Sequence, residues 1–220
     1  MSGDTAHPDG AAEPKKGCSR CPRLVAFRDD NRRDQPDWFN GAVPSFGPQT
    51  GRLLIVGLAP GRGGANRTGR PFTGDYAGDL LYQTLTGFKF ALGTYDARID
   101  DGFELVDCMV TNAVRCVPPE NKPTTAEIRE CRIFLQARIL RLPRLKIILA
   151  LGRIAHYQVL AAFDLRKASY AFAHRRRHEL PGGPVLFDSY HCSRYNTNTG
   201  RLTVEMFEGV FQDIRADLGD

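Results

Sequence analysis

Four short apolar runs, at residues 53–57, 105–111, 146–151 and 185–190, are each bounded by glycine, proline or polar residues. Runs of this kind read as buried strands. Helical patterns lie between them. The clearest opens at Thr124, where T-T-A-E places Glu127 three residues on as a capping box, with Pro123 just before it. Its apolar stripe, Ile128, Cys131, Leu135, Ile139 and Leu142, advances by threes and fours until Pro143 ends it. Further helices are expected over 76–85, 153–163 and 203–218. Strands alternating with helices predict an α/β fold built on a mainly parallel four-stranded sheet covered on both faces.

The 220 residues are enough for one ordinary domain. Residues 1–17 are rich in Gly, Ala, Pro, Asp and Lys without periodicity, so a mobile leader is expected there, with a single domain over 18–220. No run of 18 apolar residues is present and the N-terminus lacks the apolar core of a secretory signal, which predicts a cytoplasmic protein with no membrane partner. In a reducing compartment the six cysteines are to be read as metal or cluster ligands before disulfides. A net charge of +5 favours an acidic partner such as nucleic acid but also suits many small-molecule enzymes.

On open α/β sheets, ligands bind beyond the carboxyl ends of the strands. Three segments fall there: residues 57–61 (G-L-A-P-G), 112–116 (N-A-V-R-C) and 191–194 (H-C-S-R). The first begins a long glycine-rich, basic loop, where glycines allow a ligand close to bare backbone N–H groups. It matches neither a nucleoside-triphosphate nor a dinucleotide fingerprint. Asp75, at the start of the next helix, suits an N-cap, a catalytic carboxylate, or both. Phe72 suits a core ring or a platform for a planar base. His191 closes the fourth strand, and basic residues at Arg175, Arg176, Arg177, Arg194 and Arg201 suit phosphate contacts or plain solvated surface.

Cys18 and Cys21 form a C-x-x-C pair; Cys116 follows a strand end and Cys131 lies in the second turn of the next helix, so the four can converge on one metal centre. Spacing alone leaves zinc and iron–sulfur open. Cys108, inside a strand, reads as an inert buried thiol, and Cys192 has no assigned role.

In this order, C-x-x-C-P-R-L at 18–24, G-L-A-P-G at 57–61, N-R-T-G-R-P-F-T-G-D at 66–75, A-V-R-C at 113–116, N-K-P-T at 121–124, A-L-G-R at 150–153 and S-Y-H-C-S-R-Y-N-T-N-T-G-R-L-T at 189–203 resemble the type B, or family five, uracil-DNA glycosylases. The resemblance spans nearly all of the chain after the leader. It implies a three-layer α/β/α domain and a [4Fe–4S] cluster on Cys18, Cys21, Cys116 and Cys131, in place of zinc. It also implies a monofunctional hydrolase that removes uracil, and other deaminated bases such as hypoxanthine and xanthine, from single- and double-stranded DNA. A monomer is expected.

Related classes carry an acid or amide after the first motif glycine; Leu58 stands here, so the resemblance moves catalysis to Asp75, His191 and Asn121. Base contacts are expected from Gly57, Ala59, Gly61, Phe72 and Asn112, although some relatives have alanine at this last position. DNA contacts are expected from Arg194, Tyr195, Asn196 and Arg201, with the 194–198 loop as the wedge that fills the emptied base stack. Cys192 departs from the Pro or Val common after the motif histidine. The competing expectation is a non-catalytic, zinc-containing nucleic-acid-binding module.

Overall fold

The computed structural model of the chain describes residues 12–219. Its strands are β1 (Leu53–Gly57), β2 (Ala91–Leu92), β3 (Glu104–Leu105), β4 (Cys108–Asn112), β5 (Ile147–Leu151), β6 (Arg177–Glu179) and β7 (Val185–Ser189). Its helices are α1 (Pro22–Asp34), α2 (Ala65–Thr68), α3 (Tyr76–Gly87), α4 (Thr125–Leu140), α5 (Arg153–Ala162), α6 (Arg194–Asn198) and α7 (Val204–Leu218). The main sheet has the order β4-β1-β5-β7-β6. Its first four strands are parallel, with β1 central enough to pair with both β4 and β5.

Because side chains alternate across a strand, each of these strands feeds two cores. Leu53, Ile55, Val110, Leu149 and Phe187 pack with Leu81 and Leu85 of α3 and Phe207, Phe211 and Ile214 of α7. Their neighbours Leu54, Val56, Met109, Ile148 and Leu186 pack on the other face with Leu135 of α4 and Val159 of α5. The expected three-layer α/β/α arrangement is present.

The sheet has five strands, not four. β6 reads R-H-E and pairs antiparallel at the edge against β7, so one of its faces needs no apolar cover and it carries no apolar signal. The run at 105–111 also divides: Leu105 belongs to a separate two-stranded ribbon, and Asp107, at φ +58°, turns the chain before β4. α4 carries the expected capping box, Thr124 with Glu127. No described helix is long and apolar enough to cross a membrane.

The leader differs from expectation in its second part; residues 1–11 lie outside the described residues. Ala12 is buried, and Glu13 accepts from Arg115 at 2.7 Å, from Arg138 at 2.5 Å and from the Ser45 amide at 3.1 Å. Burial alone would raise the Glu13 carboxyl, but the two guanidiniums and the Ser45 bond outweigh it and hold it below the ordinary glutamate range. Composition could not foretell this, since both partner arginines come from elsewhere in the chain.

Candidate active site and cysteine centre

A cavity of about 740 Å³ opens beyond the carboxyl ends of β1, β4 and β7 and is lined by Ala59, Gly61, Phe72, Asp75, Asn112, Asn121, His191 and Arg194, among others. Three residues that follow or end separate strands thus meet because the sheet aligns its strand ends. Asn112 is the last residue of β4, and its Oδ1 is buried with no hydrogen-bond partner among the described residues. A buried acceptor left unpaired is costly unless a ligand satisfies it.

Gly57 does not line this cavity. A side chain there would run into Asn112 Oδ1 and the Phe72 ring, so the glycine is what lets both residues lean over the end of β1. Phe72 sits at φ +53°, uncommon for a non-glycine residue, and its ring lies 5.9 Å from that of His191 at an interplanar angle of 26°. Two flat rings in near-parallel array at the cavity wall suit a planar guest.

Asp75 Oδ1 accepts from the Gly78 amide at 3.1 Å and caps α3, while Oδ2 lies against Gly61 and Gly64, where any side chain would crowd it. The glycine loop therefore closes on the carboxylate with bare backbone. Burial pushes the Asp75 carboxyl up, against the Gly78 bond that stabilises its charged form. Burial likewise pushes the His191 imidazole down to about 4, so the ring is neutral near pH 7 and able to donate one hydrogen bond without carrying charge. Asn121, exposed and at φ +57°, reaches the cavity rim from the short 3₁₀ turn Pro119–Asn121.

The residues expected on DNA separate. Arg194 borders the cavity, its guanidinium 5.5 Å from the Tyr76 ring. Residues 194–198 form the short helix α6 instead of a loop, capped by Ser193. Tyr195 projects from it, 73% exposed. Asn196 faces inward and donates to the His191 carbonyl at 2.8 Å. Arg201 lies over Tyr190 at 4.7 Å, beside a neighbouring cleft, not in the first cavity. Arg175 and Arg177 are engaged with Asp213 and Asp217 on α7, which makes them partners of that helix and not ready phosphate contacts.

Cys18, Cys21, Cys116 and Cys131 line one small cavity and pack with Leu24, Val114 and Phe134. All six cysteines are free; the buried Cys108 and Cys192 lie apart, donating to the Phe90 and Ala77 carbonyls. Burial first, then the charges of Cys116, Glu127 and Cys18, push the Cys21 thiol up to about 11. With Cys21, Cys116 and Cys131 all pushed up, this is a donor set that suits a cationic centre, which reverses that sign. Two N–H groups are already aimed at sulfur: Arg28 Nη1 at Cys116 Sγ, 3.2 Å, and the Arg115 amide at Cys131 Sγ, 3.3 Å.

This centre is joined to the active-site loop. Segment 113–116 is held to it by Ala113 N–H to Gly57 O and Val114 N–H to Leu58 O, both 2.9 Å. α1, which starts directly after Cys21, reaches the loop from the other side through Asn31 and Asp34, both bound by Arg62. Sequence reading missed α1 because its charged run hides any apolar stripe; Pro22 at the first helical position was the available signal.

A profile of the uracil DNA glycosylase superfamily matches residues 44–215. The chain is 45% identical over 204 residues to the type-5 uracil-DNA glycosylase of Thermus thermophilus, covering 90% of this chain and 92% of that protein. It is 38% identical over 206 residues to the type-5 uracil-DNA glycosylase of Pyrobaculum aerophilum, covering 92% and 89%. Against the type-4 uracil-DNA glycosylase of Sulfurisphaera tokodaii, identity is 29% over 205 residues, covering 88% and 78%.

Proposed function

The chain belongs to the uracil DNA glycosylase superfamily and, within it, to the type-5 uracil-DNA glycosylases, and from that premise we propose how its residues remove a base from DNA. The enzyme is a DNA-repair hydrolase that cleaves the N-glycosidic bond of uracil and leaves an abasic site. A base inside a duplex is out of reach, so the nucleotide flips into the cavity, most cheaply where pairing is already poor. The Phe72 ring stacks on the flipped base, and the Asn112 side chain hydrogen-bonds its edge.

Bond cleavage separates charge into a cationic sugar and an anionic base, as in other glycoside hydrolyses. A neutral His191 donates to the leaving base together with backbone N–H groups of the 59–61 loop, in the manner of an oxyanion hole. Asp75, through Oδ2, orients the attacking water and favours the developing sugar cation, with Asn121 in support at the rim. The observation that carries this reading is the meeting of Asp75, Asn112 and His191, from three separate segments, in one cavity.

The cavity volume and the apolar Leu58 at its wall favour a substrate range that includes purines, hypoxanthine and xanthine among them. The enzyme is read as a monomer. The four-cysteine centre is assigned a [4Fe–4S] cluster; when bound, it supplies iron–thiolate bonds that tie residues 18–21 to Cys116 and Cys131. Hydrolysis needs no redox step from it. Single-turnover excision from uracil oligonucleotides tests the whole reading, with Asp75→Ala expected to lose most of the rate. A wild-type protein inert on uracil DNA, or an Asp75→Ala variant as fast as wild type, would overturn the function or the assignment respectively.

A further inference from the structure

Behind the catalytic loop lies a layer that the mechanism does not use. The Arg70 guanidinium, almost wholly buried, makes two bonds to Asp101, at 2.8 and 2.6 Å, and its Nε donates to Thr73 Oγ1 at 2.8 Å. Four rings, Phe46, Tyr82, Tyr95 and Phe103, stand around it at 5.1–5.9 Å. Two of these rings reach back to the loop through their hydroxyls. Tyr82 Oη donates to the Pro71 carbonyl at 2.5 Å. Tyr95 Oη donates to the Phe72 carbonyl at 3.3 Å and accepts from the Gly74 amide at 3.2 Å.

The Phe72 carbonyl is confined from the other side too. It presses against Gly78 so closely that no side chain could be added there, and Gly78 is the residue whose amide donates to the capping Asp75 carboxylate. Phe72 and Gly74 are both at positive φ, +53° and +89°, so this stretch needs outside restraint to keep one shape.

We propose that Tyr95 is a positioning residue for base excision: its hydroxyl grips the loop on both sides of Thr73 and so sets the Phe72 ring and the Asp75 carboxylate at one spacing. The proposal rests on the reading of Asp75 as the water-orienting carboxylate. Tyr95 touches neither base nor water; it acts through the loop backbone. Loss of its hydroxyl leaves the ring in the Arg70 cage and frees only the loop, and a misplacement of an ångström at a catalytic group is enough to lower a rate sharply.

The test is Tyr95→Phe, compared with wild type and Asp75→Asn by single-turnover excision of uracil, with binding to the abasic product DNA measured alongside. Tyr95→Phe is expected to slow excision about tenfold or more, on the order of one lost positioning bond, with product affinity within about twofold of wild type. In the Asp75→Asn background the same change should have a clearly smaller effect, because one of the two groups it positions has lost its charge. Arg70→Lys, which keeps the charge facing Asp101 but loses the bond to Thr73, is expected to slow excision in the same way. If Asp75→Asn is slow while Tyr95→Phe runs at the wild-type rate, the positioning role is overturned and the Asp75 reading stands. If Asp75→Asn itself runs at the wild-type rate, the underlying reading fails first. A Tyr95→Phe effect of equal size in both backgrounds overturns the route through Asp75.

Discussion

Asp75 Oδ1 accepts from the Gly78 amide at 3.1 Å, so the carboxylate that faces the cavity is also the cap of α3. The two roles separate by substitution. Asparagine caps a helix about as well as aspartate, whereas alanine forfeits roughly 1 kcal/mol. Asp75→Asn should therefore melt near wild type yet lose about 10²–10⁴-fold in single-turnover rate, the span of a catalytic acid–base group. Asp75→Ala should add a measurable drop in thermal stability. An asparagine variant with near-wild-type rate would remove the charge from the mechanism.

The pH profile follows from two opposite displacements. Burial raises the Asp75 carboxyl and lowers the His191 imidazole to about 4. The proposed mechanism needs an ionised Asp75 and a neutral His191, so both fail on the acid side. The rate should rise with pH through a limb above the ordinary aspartate value and show no second limb near 6.5. For stability only His191 shares that sign, since a carboxyl raised on folding, such as Asp75, acts the other way: a histidine whose folded value lies below its unfolded one contributes no pH dependence above about 6.5 and costs stability as pH falls from there toward 4. His191→Gln should flatten that part of the unfolding curve, measured by denaturant titration.

Arg28 Nη1 donates to Cys116 Sγ and Nη2 to the Cys18 carbonyl, bridging the two halves of the cysteine centre. Cys116→Ala and Cys131→Ala should lose the brown colour and most of the roughly four irons per chain expected of a cubane on four thiolates. Cys108→Ala and Cys192→Ala should retain both. Because Val114 is bonded to Leu58, cluster loss should lower thermal stability and weaken base excision together.

Asp188, fully buried on β7, lies 2.7 Å from His156 Nδ1 and 2.9 Å from His178 Nε2. His156 Nε2 must donate to the Tyr170 carbonyl at 2.9 Å, which can only accept. A proton therefore lies between Nδ1 and the carboxylate. Removing one member of such a buried set leaves its partner uncompensated, and Asp188→Ala should cost about 3–5 kcal/mol in urea unfolding. Uracil excision at low temperature should persist, since the trio is not among the cavity residues.

Tyr195, 73% exposed on α6, is the candidate wedge. Tyr195→Ala should leave thermal stability unchanged. Excision from a duplex should fall several-fold more than from single strands, where no stack has to be filled. Equal losses on both substrates would remove the wedge role.

How much of this was legible in the chain depends on how local each determinant is. The parallel strands were readable because burial on both faces makes an apolar run at β1, β5 and β7, and α4 because its cap lies within four residues. β6 and α1 were not, one being a polar edge and the other a charged helix.

The site divides in the same way. Asp75, Asn112 and His191 could be named from their places after strand ends and from ordered motifs, since chain order and residue type are all that such reasoning needs. Which oxygen of Asp75 caps and which faces the cavity, why Gly57 must be bare, and how Glu13 locks Arg115 and Arg138 were decided only by folding. Apart from the local Asp75 cap, such facts depend on residues distant in the chain coming within bonding distance, such as the Tyr95 hydroxyl against Phe72 and Gly74, 23 and 21 residues away, and Glu13 against Arg138, 125 residues away. No periodicity or spacing in a linear chain encodes a contact of that kind; the packed sheet and its two cores do.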